Sequence, residues 1–456
     1  MTGYTIKDAV SVSNGKYFGD EAILTEPCAD VVIDSRNATP GSIFAAIRGE
    51  RVDGYDFIES AMQNGAVCVI TERAPASPDI PHILVSSVHA ALRFIAAHYR
   101  EKFHIPIIGV TGSVGKTSTK EMISCVLKKR MKLLYTEGNF NNELGVPLTL
   151  FRLNSEHRAA VIEMGISDFN EMTRLTRIVK PNAAVFTAIG DAHLENLGSR
   201  EGVLKAKAEI LDGMPMGTIA FINGDDELLV GMEVKPRKKI SFGLGEKCDV
   251  RATDVKNLGT EGSACVITGL GREFEVRIPA YGHHMLYAAL AAAAVGLYFG
   301  FSGEEIAAGL LDYVPVGHRA SAIDVNGITV IDDCYNANPT SVNMALASLS
   351  DFAPRRRVAI LGDMLELGDD KERFHYEVGA RSAQSGAVTI ACGPLAKEIA
   401  KGASVAGGEA VYFEDVEALL TALPGIIKKD DAVLVKASRG MRLEAIVEKL
   451  TSSPII

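Results

Sequence analysis

The sequence predicts an α/β protein built in three regions, and three observations carry that expectation. The chain has 456 residues, which at roughly 150 residues per domain suggests about three domains. Short apolar runs alternate with helical patterns along most of it, as in parallel sheets covered by helices. A glycine-rich loop also stands between one such run and the helix after it, the setting in which backbone amides cradle phosphates. The regions divide at 1–100, 101–313 and 314–456.

In the first region, Val31-Val32-Ile33 and residues 43–47 read as strands, 57–64 as a short helix and 66–71 as a further strand. The stretch APASP at 74–78 is a turn-rich connection. A helix over 89–100 places Leu92, Ile95 and Ala96 on one face. In the second region strands fit 105–110, 159–163, 183–188 and 218–223, with helices over 118–129, 171–179 and 200–211. Residues 239–280 read as β-rich, and 284–299 as an apolar, Ala-rich helix. The third region opens at Pro315. Strands at 329–331, 358–361, 388–391 and 432–435, separated by amphipathic helices, repeat the doubly wound pattern.

Composition narrows the function. A hydrophobic share of 47% with 23% charged residues is ordinary globular composition and excludes a disordered or collagen-like chain. The net charge of −10 argues against nucleic acid as the main partner, because a polyanion binder is basic. With 6% aromatics and no Trp, a base-stacking platform is poorly supplied. A small phosphorylated ligand stays allowed. The seven cysteines are odd in number and form no CxxC pair, so they read as thiols of a reducing compartment. The first twenty residues lack a signal-peptide pattern, and the most apolar stretch, 286–298, is too short to span a bilayer. A cytoplasmic monomer is expected.

Several strand ends carry chemistry. In the loop Thr111-Gly112-Ser113-Val114-Gly115-Lys116-Thr117, Lys116 is placed to reach β/γ-phosphates and the Thr117 hydroxyl to hold Mg²⁺. Glu163 ends a parallel strand, where a carboxylate points into the ligand crevice, either as a metal ligand or as a helix N-terminal acid. His193 follows another strand end, as a metal contact or a structural histidine. Lys205 and Lys207 flank Ala206, and pattern alone favours a solvated helix face for both. Asn141 and Asn142, in EGNFNNELGVP, either make turns or bind polar ligand groups. In the third region DDCYNANPTS, LGDMLELG and KASRGMR each end a strand, and three polar strand ends in one small sheet suggest a site.

Together these residues resemble the Mur ligase family, ATP-dependent amide ligases of peptidoglycan synthesis, over essentially the whole chain. GVTGSVGKTS is similar to the family's GxTGxxGKT. DSRNATPGSIFAAIRGERVDGYDF, EGNFNNELGVPLTL, AHLENLGS, DDCYNANPTS, LGDMLELG and KASRGMRLE extend the likeness. DDxYNANPxS and LGDMxELG resemble the member that adds D-alanyl-D-alanine, and the DNPR of the diamino-acid-adding sibling is missing.

The resemblance implies a small N-terminal α/β domain for a UDP-sugar, a central P-loop ATPase domain with a parallel sheet, and a C-terminal Rossmann-like domain. It implies that Asp34, Ser35 and Arg36 line the nucleotide-sugar site. Residues 111–117 would serve ATP and Mg²⁺, with Glu163 and His193 at metal-site positions. Lys207 matches a lysine that family members carbamylate, and Arg319 and Asn336 match the nucleotide-facing edge of the last domain. The implied reaction joins UDP-N-acetylmuramoyl-tripeptide to D-alanyl-D-alanine through an acyl phosphate, with the general base unnamed. The competing readings are a folylpolyglutamate-type ligase, which lacks so long an N-terminal domain, and a nucleotide-binding scaffold without ligation. One segment departs from the family. Where members carry HNxxNALAA, Met285 and Ala288 are expected to replace the two asparagines near adenine. Two domains must also face each other across a cleft, and without ligand Arg319 and Asn336 are expected too far from Lys116 to share one.

Overall fold

Buried runs rich in Val, Ile and Ala form three sheets, and the helices between them supply the covering layers. The computed structural model describes residues 1–49, 51–215, 217–234 and 238–452. The first sheet has five strands in the order Lys16–Phe18, His82–Leu84, Ala66–Thr71, Ser42–Ala45 and Val31–Val32. All but the outer Lys16–Phe18 run parallel.

The second sheet has nine strands. Ile107–Thr111 lies inside it, between Ala183–Phe186 and Ala159–Glu163, with Leu133–Tyr135 beyond the latter. On the other flank come Ile219–Asn223, Lys238–Gly243 and Val250–Asn257, still parallel. The antiparallel hairpin of Ser263–Gly269 and Arg272–Ile278 closes that edge. The third sheet runs Ser321–Val325, Ile328–Asp332, Ala432–Lys436, Arg357–Gly362, Val388–Cys392 and Ala410–Phe413, parallel except for its first strand.

Edge strands escape the sequence pattern. Lys16–Phe18 and Ala410–Phe413 are largely solvated, so no apolar run marks them. The phosphate-loop helix, Lys116–Leu127, starts two residues earlier than the expected 118. The Ala-rich stretch forms helix His284–Tyr298, buried all round over residues 288–295. A helix apolar on every face belongs in a core, and its small side chains let it pack closely on Lys116–Leu127. Among the described residues no helix is long and apolar enough to cross a membrane.

One apolar core runs from Tyr4 in the first sheet region to Val234 in the second, without a break at residue 100. Helix Val88–Glu101 carries it across, packing on Gly145–Phe151 and Glu171–Val179. The third region has two cores, one on each face of its sheet, and Tyr281 of the second region joins one of them.

Candidate active site

The phosphate loop is held by backbone geometry. Gly112 has φ +150° and Gly115 φ +82°, both in the range that favours glycine. A Cβ on Gly112 would meet Thr187 Oγ1 at 1.9 Å. Thr187 ties the loop to the next strand end, its hydroxyl donating to the Val114 carbonyl at 2.6 Å, and Ser113 N donates to the Ala188 carbonyl at 2.8 Å. The loop therefore delivers its amides and the N-terminus of helix Lys116–Leu127 as a preformed anion site.

Acidic and basic groups converge behind it. The Thr117 hydroxyl donates to Glu163 Oε2 at 2.9 Å, and Asn141 Nδ2 donates to Oε1 at 2.7 Å. Thr117 and Glu163 are buried together, a pair of hard oxygen donors of the kind Mg²⁺ takes, so these residues fit the ion. Lys116 Nζ donates to the Gly112 carbonyl at 2.8 Å. Its pKa is lowered by burial, partly countered by the Glu163 charge. Lys207 is 1% exposed, which overturns the solvated-face reading. Burial and the nearby Lys116 charge push its pKa well below the usual lysine value, against a smaller opposing pull from Glu171.

The third region faces this floor across a cleft of about 610 Å³. Arg319, Asn336 and Lys436 line it opposite Lys116 and Glu163, and His89 of the first region reaches its rim. Arg319, Asn336 and Lys116 border this one cleft, and direct bonds join the two regions beside it. Thr340 Oγ1 donates to Asp191 Oδ2 at 3.0 Å, and Arg200 grips the same carboxylate in a fork at 2.7 and 2.5 Å. Burial pushes Asp191 up, but Arg200 and Thr340 outweigh it and hold the carboxyl below its ordinary range. Lys436 Nζ donates to Asp333 Oδ2 at 2.6 Å and to the Asn336 carbonyl at 3.0 Å, fixing the loop that bears Asn336. Arg319 lies over the Tyr335 ring, its Cζ 3.8 Å from the ring centroid.

The remaining candidates divide. His193 lines the cleft with φ +55°, and its Nδ1 sits 2.6 Å from Glu366 Oε2. Asn142 lines the cleft and also makes a turn, its Oδ1 accepting from Gly145 N at 2.8 Å and Leu144 N at 3.2 Å. Asp34, Ser35 and Arg36 do not line the cleft. Asp34 caps the turn Ser35–Asn37 and pairs with the exposed Arg36. His318, Asp332 and Cys334 form a cluster whose groups already hydrogen-bond one another. Met285 and Ala288 do stand where the family carries asparagines, and the structure separates them. Met285 lies in the apolar core, and His284, Tyr287 and Ala288 are what this helix turns toward the nucleotide-loop cavities, at i, i+3 and i+4. Sequence reasoning does not find Asp191, Arg200 and Thr340 as a unit, since the hydrogen bond that joins Thr340 to the Asp191–Arg200 pair spans 149 positions and has no local signature.

Family models match in three places. The Mur ligase middle domain covers residues 110–296, the Mur ligase glutamate ligase domain 318–439, and the Mur ligase family catalytic domain 29–100. A UDP-N-acetylmuramoyl-tripeptide–D-alanyl-D-alanine ligase of Bacillus subtilis is 38% identical over 93% of this chain and 93% of its own. The chain belongs to the Mur ligase family. The ligase of the same name from Escherichia coli is 35% identical over 99% of both chains. Among solved Mur ligases, MurF from Acinetobacter baumannii superposes with a TM-score of 0.91 at 30% identity, covering 99% of each chain. MurF from Thermotoga maritima in complex with ADP gives 0.83 at 29% identity, over 93% of this chain and 97% of that one.

Proposed function

We propose that this Mur ligase adds D-alanyl-D-alanine to UDP-N-acetylmuramoyl-tripeptide with ATP, in peptidoglycan precursor synthesis. The carrying observation is the single cleft in which the phosphate loop and Glu163 meet Arg319, Asn336 and Lys436 of the third region. A carboxylate is a poor electrophile. Phosphorylation of the tripeptide's terminal carboxylate supplies a leaving group, and the dipeptide amine displaces phosphate from that acyl phosphate. Lys116 and the loop amides are aimed where charge builds on the transferred phosphoryl group. Thr117 and Glu163, with His193 at the same cleft, would hold Mg²⁺, which supplies charge neutralisation at the phosphate oxygens. The first region, 1–100, takes the UDP-sugar end of a long substrate, which agrees with Asp34, Ser35 and Arg36 lying outside the cleft. The substrates are soluble nucleotide precursors, so the proposed location is the cytoplasm.

Carbamylation of Lys207 is part of the same reading. Attack on CO₂ needs the neutral amine, and burial beside Lys116 favours that form. A carbamate would turn a repelling cation into two oxygens for a metal. Lys207→Ala is expected to be nearly inactive and partly restored by acetate or formate, and full activity of that variant refutes the carbamate.

The whole reading is tested by phosphate release from ATP with each acceptor omitted in turn. Release that requires both UDP-tripeptide and D-alanyl-D-alanine supports ligation. Release indifferent to both, or none with both present, leaves a scaffold or a sibling activity.

A further inference from the structure

Strand Ile328–Asp332 of the third region ends in a buried carboxylate. The neighbouring Asp333 takes the lysine at this strand end, Lys436. Among the described residues the one ion-pair partner of Asp332 is a histidine, His318. A buried carboxylate calls for a full positive charge or a metal beside it, and a third group stands here that suits a metal, the buried Cys334 thiol.

Backbone geometry brings the three together. Asp332 and Cys334 are two positions apart, the spacing that puts side chains on one face of an extended chain. His318 arrives from the loop before strand Ser321–Val325, with φ +57°. Tyr335 N donates to its carbonyl at 3.1 Å and ties the two loops to each other. His318 Nδ1 lies 2.6 Å from Asp332 Oδ2, and the Cys334 thiol donates to Oδ1 at 3.2 Å. The three ligating atoms, one nitrogen, one oxygen and one sulfur, all lie within 4.8 Å of one another. Zinc bonds of about 2.0–2.3 Å in a tetrahedron set ligand atoms roughly 3.5 Å apart, a spacing that this cluster brackets. Protons hold these atoms together now, and a cation would replace protons at the same atoms.

We propose that His318, Asp332 and Cys334 form a Zn²⁺ site, separate from Thr117 and Glu163, that fastens together the two loops bearing Arg319 and Tyr335. On binding, the thiol releases its proton to solvent, and the imidazole bonds through Nδ1 with its proton on Nε2. Thiolate, imidazole and carboxylate then fill three positions. The half-exposed His318 leaves a side open to solvent, where the ion enters and a water completes the fourth. Thiolate and imidazole favour Zn²⁺, whereas Mg²⁺ takes oxygen donors, so the two ions sort between the two sites. Arg319 and Tyr335 each directly follow a ligand, and the guanidinium lies over the ring. A bound ion therefore stiffens this wall of the cleft.

The test is titration of the full, untagged, reduced chain with Co²⁺, after dialysis against a chelator. Cobalt bonded to thiolate gives a charge-transfer absorption band, and its visible bands report a tetrahedral site. One equivalent is expected to bind, to be displaced by Zn²⁺ and to withstand millimolar Mg²⁺. Cys334→Ser should abolish the charge-transfer band. His318→Gln and Asp332→Asn should each weaken Co²⁺ at least about tenfold, the smallest loss expected when even an outer partner of a metal ligand is removed. His318 is half-exposed, so His318→Gln leaves the core packed and decides the case should Cys334→Ser not fold. Absence of the band in the parent overturns the proposal. So does a band that survives Cys334→Ser, which belongs to another cysteine, unweakened binding in His318→Gln, or displacement by Mg²⁺.

Discussion

The two joints between regions are built from different materials. Between the first and second, Tyr99 is fully buried, donates to the Leu153 carbonyl at 2.5 Å and accepts from Thr2 N at 2.8 Å. Arg100 donates to the Val179 carbonyl at 3.0 Å and to the Phe103 carbonyl at 2.6 Å within the same packed core. Between the second and third, most named ties are polar, Thr340 to Asp191, His193 to Glu366, and His283 to Asp351 and Ser348, with Tyr281 as an apolar plug in the third region's core beside Phe352. An apolar joint with buried hydrogen bonds has one geometry, whereas a polar one can exchange its bonds for water and reopen. The difference predicts where motion belongs: the first two regions are expected to act as a fixed bed, and the third as the half that opens and closes, as lids do.

Substitutions can break that contrast. Tyr99→Ala has the largest expected effect, a loss of about 3–5 kcal/mol from an aromatic cavity. Denaturant unfolding should show the loss in the transition of the first two regions together. A change confined to a first-region transition would mean the core is not shared.

A smaller, pH-dependent effect belongs to the third region. His375 is fully buried, accepting from Met364 N at 2.9 Å and bonding the Lys371 carbonyl at 2.6 Å. Burial lowers its pKa, so the unfolded chain binds the proton more tightly. The stability it lends is complete above an unfolded pKa of about 6.5 and declines as pH falls below that value. Thermal scans between pH 7.5 and 5.5 should show the decline in parent protein and a flatter profile in His375→Gln. Equal slopes would remove His375 from the account.

Thr340→Val has the smallest expected effect on stability, about 1 kcal/mol or less, because Arg200 still holds Asp191. Its expected mark is on shape. Solution scattering should give a larger radius of gyration than the parent, and an unchanged radius would show that this bond does not help close the cleft.

How much of this was legible in the sequence follows from how local each signal is. The phosphate loop is a contiguous string with obligatory glycines, and Glu163 ends an apolar run, so both could be read directly. Lys207 could not be read as buried, since its alternation with Lys205 looks like a solvated face, and only packing removes Lys207 from water. That Met285 and Ala288 take the place of two family asparagines is legible, but which face of helix His284–Tyr298 meets the cavities is not. In a helix apolar on every side nothing in the pattern marks which face meets a ligand, and the fold turns His284 and Tyr287 to the cavity and Met285 to the core. Asp191 and Thr340 are 149 positions apart and meet only through the fold.

The unbroken core from Tyr4 to Val234 also bears on how the chain is made. When residue 101 leaves the ribosome, helix Val88–Glu101 still lacks the surfaces of Gly145–Phe151 and Glu171–Val179. At about 5–20 residues per second, the remaining stretch to residue 234 takes roughly 7–27 s to appear. For that interval Leu92, Ile95 and Tyr99 are apolar groups without their partners, a window in which a chaperone can bind. The third region's cores draw on residues 281–450, so apart from Tyr281 they close within that region once its inner strand Ala432–Lys436 has emerged.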